Sequence, residues 1–285
     1  MNTSTMNKTI ISSAIFICIS CALFSKDNKT KSFLQNKEVS VKVNALFDSI
    51  IKVKNDLNRL EINKGVDQYL ANMLRPASSF SDTFKLIKKI GKVFSPDKKF
   101  CIITWNVPLI DGQNIFFGYI QQNPGKDSIC NIFKLNDVSN STSNIKVNNQ
   151  YKPDQWIGAL YYEIIAEKIN KNMVYLLLGS RLNDMKTNKK IIETFSFTNE
   201  GQPYFGLPVI DNNGILQSRI QFEYAVAISM TLRYNKKLEM IVFDHLSPSS
   251  PIYKGDYKFY GPDFSYDGLK FEKSKWVYKS DVKVF

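Results

Sequence analysis

The sequence predicts an α+β protein in which an N-terminal helical arm packs on a mainly antiparallel β domain. Apolar residues follow a heptad pattern between positions 39 and 60, and the pattern changes to strand-like alternation from Phe100 onward. Turn signals then recur every 10–15 residues, and strands joined by short turns pair antiparallel. We therefore expect a sandwich, a barrel or a propeller-like domain at 94–285, preceded by a helical region at 26–93.

The first 25 residues have the pattern of a signal peptide. Lys8 supplies a positive charge, and the uncharged segment at 9–25 is shorter than the about 20 apolar residues of a membrane-spanning helix. Cleavage near Leu23 or Lys26 would leave no transmembrane span. A lipoprotein attached through Cys21 is the alternative, although the residue three positions earlier is cysteine instead of the usual leucine. Either route predicts export, to the periplasm, the outer-membrane surface or the medium.

The heptad pattern predicts one long helix from about Glu38 to Glu61. Phe47 and Ile51 widen the apolar stripe beyond the seam of a two-stranded coiled coil. This width favours packing of the helix on its own domain. The alternative is a weak homodimer through the 39–60 helix.

The remaining elements follow from local signals. Gly65 is expected to end the long helix, and shorter helices are predicted at 66–74 and 80–93. The segment 136–149, which is rich in serine and asparagine, is expected to be a long surface loop. The predicted strands are 100–107, 114–121, 128–135, 157–168, 172–179, 190–198, 218–233, 237–244, 256–260, 268–272 and 275–279.

Two cysteines follow the signal region, Cys101 and Cys130, and export would permit a disulfide between them. They fall on the first and third strands of a predicted meander, and such strands lie about 9–10 Å apart, beyond the reach of a disulfide. We expect two buried thiols.

The formal net charge of +12 comes mainly from lysine. Lysine, asparagine and isoleucine are all abundant, as in proteins from AT-rich genomes. Codon bias can therefore account for the positive charge, which favours a solvated surface over a dedicated basic binding face. The few arginines form no cluster suited to phosphate contacts, so nucleic acid is not an expected partner.

The sequence lacks the common enzyme signatures, including a nucleophile elbow, a zinc-protease motif and a glycine-rich phosphate loop. His245 is the only histidine, which excludes a site with several histidines within one chain, and no cofactor is predicted. His245 could act as a general base with Ser247 or Ser249 as nucleophile. Because adjacent strand residues point to opposite faces, Asp244 could orient His245 only if the strand bends. A histidine that orders its loop is favoured.

The segment from Asp263 to Gly268 resembles the opening of a calcium loop, with Asp263, Ser265 and Asp267 as weak metal candidates. Position 12 of such a loop is Ser274 instead of glutamate, which favours a hairpin turn without metal. The same F-S-x-D turn pattern occurs at Phe94–Asp97, where serine and aspartate also suit a tight turn.

The C-terminal region is crowded with aromatic residues. Alternation is expected to place Tyr257 and Phe259 on one face of a strand, where rings could stack on sugars or anchor a protein. Core packing is the alternative, since aromatic residues are ordinary strand formers. The candidate binding residues are Tyr257, Phe259, Tyr260, Tyr266 and Trp276.

Five stretches of the chain carry a likeness to other proteins: 94–109, Gly158–Tyr162, Thr187–Glu193, Ile241–Pro248 and Tyr260–Asp267. Through them the chain resembles a group of uncharacterised exported proteins of the Bacteroidota, over roughly residues 90–285. The resemblance implies a cell-envelope or secreted protein of a diderm bacterium, and it implies no activity.

Together these observations favour an exported cell-envelope protein that binds a protein or a glycan without catalysis. The rival hypothesis is a hydrolase with a site around Asp244, His245 and Asp263.

Overall fold

The computed structural model describes residues 37–139 and 149–284. The predicted signal peptide and most of the predicted loop at 136–149 lie outside these ranges. Two helices precede a set of mainly antiparallel sheets, which confirms the predicted α+β class. The helices are α1 (37–52) and α2 (Asp56–Met73). The strands are β1 (Gly91–Phe94), β2 (Phe100–Pro108), β3 (Asn114–Gln122), β4 (Ile132–Asn136), β5 (Leu160–Ile169), β6 (Asn172–Leu182), β7 (Thr187–Phe197), β8 (Pro203–Phe205), β9 (Ile210–Asn212), β10 (Ile215–Gln217), β11 (Arg219–Ala225), β12 (Leu232–Asn235), β13 (Met240–Pro248), β14 (Tyr260–Glu272) and β15 (Lys275–Lys279).

The prediction of a single helix from Glu38 to Glu61 is wrong, because the chain leaves the helical conformation at 53–55. Asn55 begins α2 as an N-cap, accepting a hydrogen bond from the backbone N of Asn58 at 3.0 Å. Gly65 does not end a helix either, since it lies inside α2. A Cβ at this glycine would lie 3.4 Å from the side chain of Leu46, so its small size suits the close contact between the two helices.

The apolar stripe of α1 packs inside its own chain. Val43, Phe47 and Ile50 are buried in a cluster that also contains residues of the first sheet. A homodimer through residues 39–60 stays a prediction, and it would have to use the side chains that remain exposed, such as Ile51 and Leu57.

The predicted helix at 80–93 is wrong. A 3₁₀ turn at Ala77–Ser79 is followed by irregular turns and then by β1. Phe84, Ile87 and Ile90 are nevertheless buried beneath the helices. Their spacing reflects burial of successive turns, which periodicity alone cannot distinguish from a helix.

In the described part of the chain, three sheets form the β domain. The first is the meander β1-β2-β3-β4, and the second has the order β11-β7-β6-β5, with β8 paired to β7. The third has the order β10-β9-β15-β14-β13-β12, and among these described strands only the β9–β15 pair is parallel. The predicted strand 218–233 is therefore two strands, β11 and β12, in different sheets.

The layers stack in the order helices, first sheet, second sheet, third sheet. Trp105 of the first sheet packs in the helix-facing cluster, where its indole N donates to the Asn63 side chain of α2 at 2.9 Å. Phe100 and Phe195 meet between the first and second sheets, and Leu176 and Phe243 belong to the cluster between the second and third. The described sheets form a stack and do not close into a barrel.

Cys101 and Cys130 are free and buried, which confirms the prediction of two buried thiols. Cys130 lies just before β4 instead of on a strand. The Cys101 thiol contacts the side-chain oxygen of Gln121 at 3.3 Å.

Over 37–139 and 149–284, no helix is long and apolar enough to cross a membrane.

Candidate functional site

A bulge between β13 and β14 builds the site around the single histidine. Asp244 pairs with Tyr266 and Leu246 with Pro262, so His245 alone faces the three residues 263–265 of β14. Phe264, at the centre of the bulge, has a φ of 71°. The segment 263–268 thus lies within β14, and the predicted hairpin turn there is wrong. At the matching pattern Phe94–Asp97, by contrast, a turn does form between β1 and β2.

His245 bonds to Asp267, not to its neighbour Asp244. Its Nδ1 lies 2.7 Å from Asp267 Oδ2, and Asp267 is only 4% exposed. The same carboxylate accepts hydrogen bonds from the Tyr278 hydroxyl at 2.5 Å and from the backbone N of Asp281 at 3.3 Å. The hydrogen bond with Asp267 raises the pKa of His245 above its usual value, against the opposing effect of partial burial. Asp267 therefore joins three parts of the third sheet.

Asp244 is held separately. Its Oδ2 accepts a hydrogen bond from the backbone N of Thr231 at 2.6 Å, which is consistent with adjacent strand residues pointing to opposite faces. Asp244 thus fastens the segment before β12 and lies apart from the His245 ring.

Asp263 is a fixed carboxylate at the rim of the site. It accepts hydrogen bonds from the hydroxyls of Ser247 and Ser265, at 2.9 and 2.7 Å, and lies 3.9 Å from His245 Nε2. Desolvation would raise the pKa of Asp263, but the hydrogen bonds from both serines and the charge of His245 hold it below its usual value. Since the Ser247 hydroxyl donates its hydrogen bond to Asp263, it is paired with a carboxylate instead of with the histidine.

The metal candidates Asp263, Ser265 and Asp267 do not surround a common point. Asp263 and Ser265 bond to each other, whereas Asp267 is turned toward His245 and Tyr278. In the part of the chain that the structure describes, no group of three or more His, Cys, Asp and Glu side chains is placed to hold a metal ion.

A groove of about 450 Å³ opens beside this cluster, and we call it the C-terminal groove. It lies between the turn that follows β11 and a 3₁₀ turn at Tyr257–Phe259. Its lining combines apolar side chains with the carboxylate of Asp263. The principal lining residues are Ile228, Ser247, Phe259, Tyr260, Pro262 and Asp263.

Two of the predicted binding rings line this groove. Phe259 stacks on Tyr253 with ring centroids 3.9 Å apart, and Tyr260 accepts a hydrogen bond from the backbone N of Gly255. Tyr257 is exposed and packs near Tyr260, with centroids 5.0 Å apart. Because Tyr257–Phe259 is a 3₁₀ turn, the expected strand alternation at these residues is wrong.

The other two predicted rings are placed differently. Tyr266 is half-buried within β14. Trp276 is fully buried in the core between the second and third sheets, which removes it from any surface site.

The exposed ring that sequence reasoning missed is Phe264, whose side chain is 95% exposed. The available signal was weak: a phenylalanine placed between Asp263 and Ser265, two polar residues that favour turns and bulges.

No protein-family model matches this chain, and no curated protein matches it significantly.

Proposed function

We propose that this chain is an exported cell-envelope protein that binds a protein partner through the C-terminal groove and Phe264, without catalysing a reaction. The observation that carries the proposal is the 95% exposure of Phe264 on a residue with a φ of 71°. A positive φ strains the backbone of a bulky residue, and an exposed ring makes no packing contacts that would offset this strain energy. Strained conformations of this kind cluster at binding and switch sites.

The surroundings of Phe264 support a protein partner. Apolar side chains around the groove are exposed, and the charged groups of Lys258 and Asp263 belong to its lining. Aromatic anchors surrounded by polar groups are typical of protein interfaces. The exposed apolar residues are Val226, Ile228, Ile252, Tyr253 and Tyr257.

The site is also pre-organised. Asp263 is held by two serine hydroxyls, and the bulge that carries Phe264 is joined to the sheet core by the bond between His245 and Asp267. A rigid anchor loses little conformational entropy on binding, which favours affinity.

The export part of the proposal rests on the charge and apolar pattern of residues 1–25 and on the resemblance to exported Bacteroidota proteins. N-terminal sequencing of the protein from its native membrane or medium tests it. A mature chain starting near Leu23 or Lys26 supports signal cleavage, and a lipidated Cys21 supports the lipoprotein route. A protein that begins at Met1 contradicts export by either route.

Photocrosslinking tests the partner. The variant Phe264→p-benzoylphenylalanine, expressed in the native cells and irradiated, should give a discrete crosslinked protein. With that partner purified, Phe264→Ala is expected to weaken binding by about thirtyfold, as for an interface hot spot of about 2 kcal/mol. The melting temperature should not change, because the ring makes almost no packing contact.

Leu57→Ala is the matched control, because Leu57 is also a highly exposed apolar residue but lies on α2. It should leave affinity unchanged. Absence of a crosslink at position 264, or equal weakening by the two substitutions, would refute the proposal.

A hydrolase is the second candidate, and the observation that favours it is the 2.7 Å contact between His245 and the buried Asp267. A serine nucleophile would need its hydroxyl on the free nitrogen of that histidine, but Ser247 donates to Asp263. We expect no turnover of p-nitrophenyl esters, phosphates or glycosides. Turnover that His245→Ala abolishes, with the fold intact, would replace the binding proposal.

A further inference from the structure

A second depression lies beside the hairpin that joins β7 to β8, and we call it the amide cleft. It consists of two adjoining parts, of about 530 and 690 Å³, that share Asn172, Phe197, Thr198 and Asn199 in their linings. Each part has the size of an ordinary small-ligand site, and the two parts adjoin at the shared residues. The amide cleft has no lining residue in common with the C-terminal groove.

The hairpin itself is well fixed. Thr198 and Gln202 close it through a backbone hydrogen bond of 2.9 Å, and Gly201 adopts a φ of 76°. The side chain of Gln122, from the first sheet, donates to the backbone oxygen of Gly201 at 2.9 Å. The wall of the cleft is therefore held in place by a neighbouring layer.

Asparagine and glutamine side chains supply more of the lining than any other residue class. Asn172, Asn199 and Gln202 are exposed, and their side-chain amides make no hydrogen bond with any other residue that the structure describes. A side-chain amide presents a donor and an acceptor next to each other. This arrangement matches the adjacent hydroxyl groups of a sugar ring, each of which can both donate and accept.

Aromatic rings complete the lining. Phe197 and Tyr204 are half-buried, and Phe197 is fixed by edge-on contacts with Phe100 and Phe195, with centroids 5.2 and 5.1 Å apart. Fixed rings offer apolar faces on which the C–H side of a sugar can stack. Amides beside rings therefore favour a carbohydrate over a peptide. An extended peptide typically pairs with an open strand edge, and a helical peptide typically binds in an apolar groove.

Charge narrows the class of sugar. Three lysines line the cleft, Lys99, Lys152 and Lys171, against a single carboxylate, Glu200. Lys99 contacts Asp97 at 3.8 Å, while Lys152 and Lys171 form no ion pair with the described residues. The two unpaired lysines outnumber Glu200, and such an excess of positive charge attracts anions. We propose that the amide cleft binds an oligosaccharide that carries carboxylate groups, as uronic acids do.

Calorimetry on the mature protein tests the proposal, with tetragalacturonate as the acidic probe and maltotetraose as the neutral one. Tetragalacturonate should bind, and the double substitution Asn172→Ala/Asn199→Ala should weaken that binding about tenfold or more. Lys171→Met should weaken it too, and the loss should shrink as salt is added. Gln221→Ala, which removes an exposed amide on β11, is the matched control and should change nothing.

Three results would overturn the proposal: no binding of either sugar up to about 10 mM, equal affinity for both sugars, or the same loss from the control as from the double substitution. Phe264→Ala should leave sugar binding intact. Failure at the amide cleft is therefore distinguishable from failure at the C-terminal groove.

Discussion

Replacing Arg219 with methionine is expected to destabilise the fold strongly. Arg219 on β11 and Glu193 on β7 are cross-strand partners, 1% and 2% exposed, and their side chains form an ion pair. The Tyr161 hydroxyl also donates to Glu193. Methionine would leave the carboxylate buried without its cation, which costs about 3–5 kcal/mol. In a chain of this size that loss lowers the melting temperature by about 10 °C.

Adding Glu193→Gln to Arg219→Met should restore most of the lost stability. The amide carries no charge, and its oxygen still accepts from Tyr161. Urea and thermal unfolding followed by circular dichroism measure both variants. Lys64→Met, at the exposed Lys64–Glu61 pair, is the control and should leave the midpoint unchanged. A loss below about 1 kcal/mol for Arg219→Met, or a double variant no more stable than the single one, would refute the reasoning.

Three other perturbations test separate features. Because Asp267 raises the pKa of His245 above 6.5, their contact stabilises the fold fully below pH 6.5 and is lost as the pH rises through the folded pKa. NMR titration of this single histidine should show a lower pKa in Asp267→Asn, and equal values would contradict the assignment. Gly158→Ala should cost about 2 kcal/mol or more by urea unfolding, since φ is 56° and the Cβ would lie 2.6 Å from a carboxylate oxygen. Gly214→Ala, with a φ of 86° in open space, should cost about 1 kcal/mol, and equal losses would disprove the steric argument. Burial raises the pKa of the Cys101 thiol to about 12, so this thiol should resist iodoacetamide until the protein unfolds. Rapid labelling of Cys101 in the native state would contradict its burial.

Local signals in the sequence predicted much of the fold, because strand alternation and turn residues act over a few positions. The predicted strands at 114–121 and 275–279 agree closely with β3 and β15. The helix prediction failed at Asn55, where a capping residue interrupts an otherwise continuous heptad pattern. The strand predicted at 218–233 failed because the sheet that each half joins depends on partners far away in the sequence.

The candidate sites were harder to predict, because they depend on long-range pairing. His245 meets Asp267 only through the register of β13 and β14, and the bulge that exposes Phe264 is an irregularity in that register. Composition indicated aromatic residues in this region but could not distinguish Trp276, which is buried, from rings at the surface. The amide cleft combines segments from 99 to 204, and no short stretch of sequence contains enough of it to be recognised.

The stacking of layers explains why both proposed sites lie where regular pairing ends. The second sheet is covered on both faces, by the first sheet on one side and by the third on the other. Side chains available to a ligand must therefore come from turns, strand ends and bulges, while the strands hold them rigidly. The C-terminal groove uses the bulge at Phe264, and the amide cleft uses the hairpin at 198–202. Because the two sites share no lining residue, Phe264→Ala and Asn172→Ala/Asn199→Ala should each weaken one kind of binding and spare the other. A substitution that weakened both kinds of binding would mean that the layers transmit strain between the sites, and the sites would then be coupled.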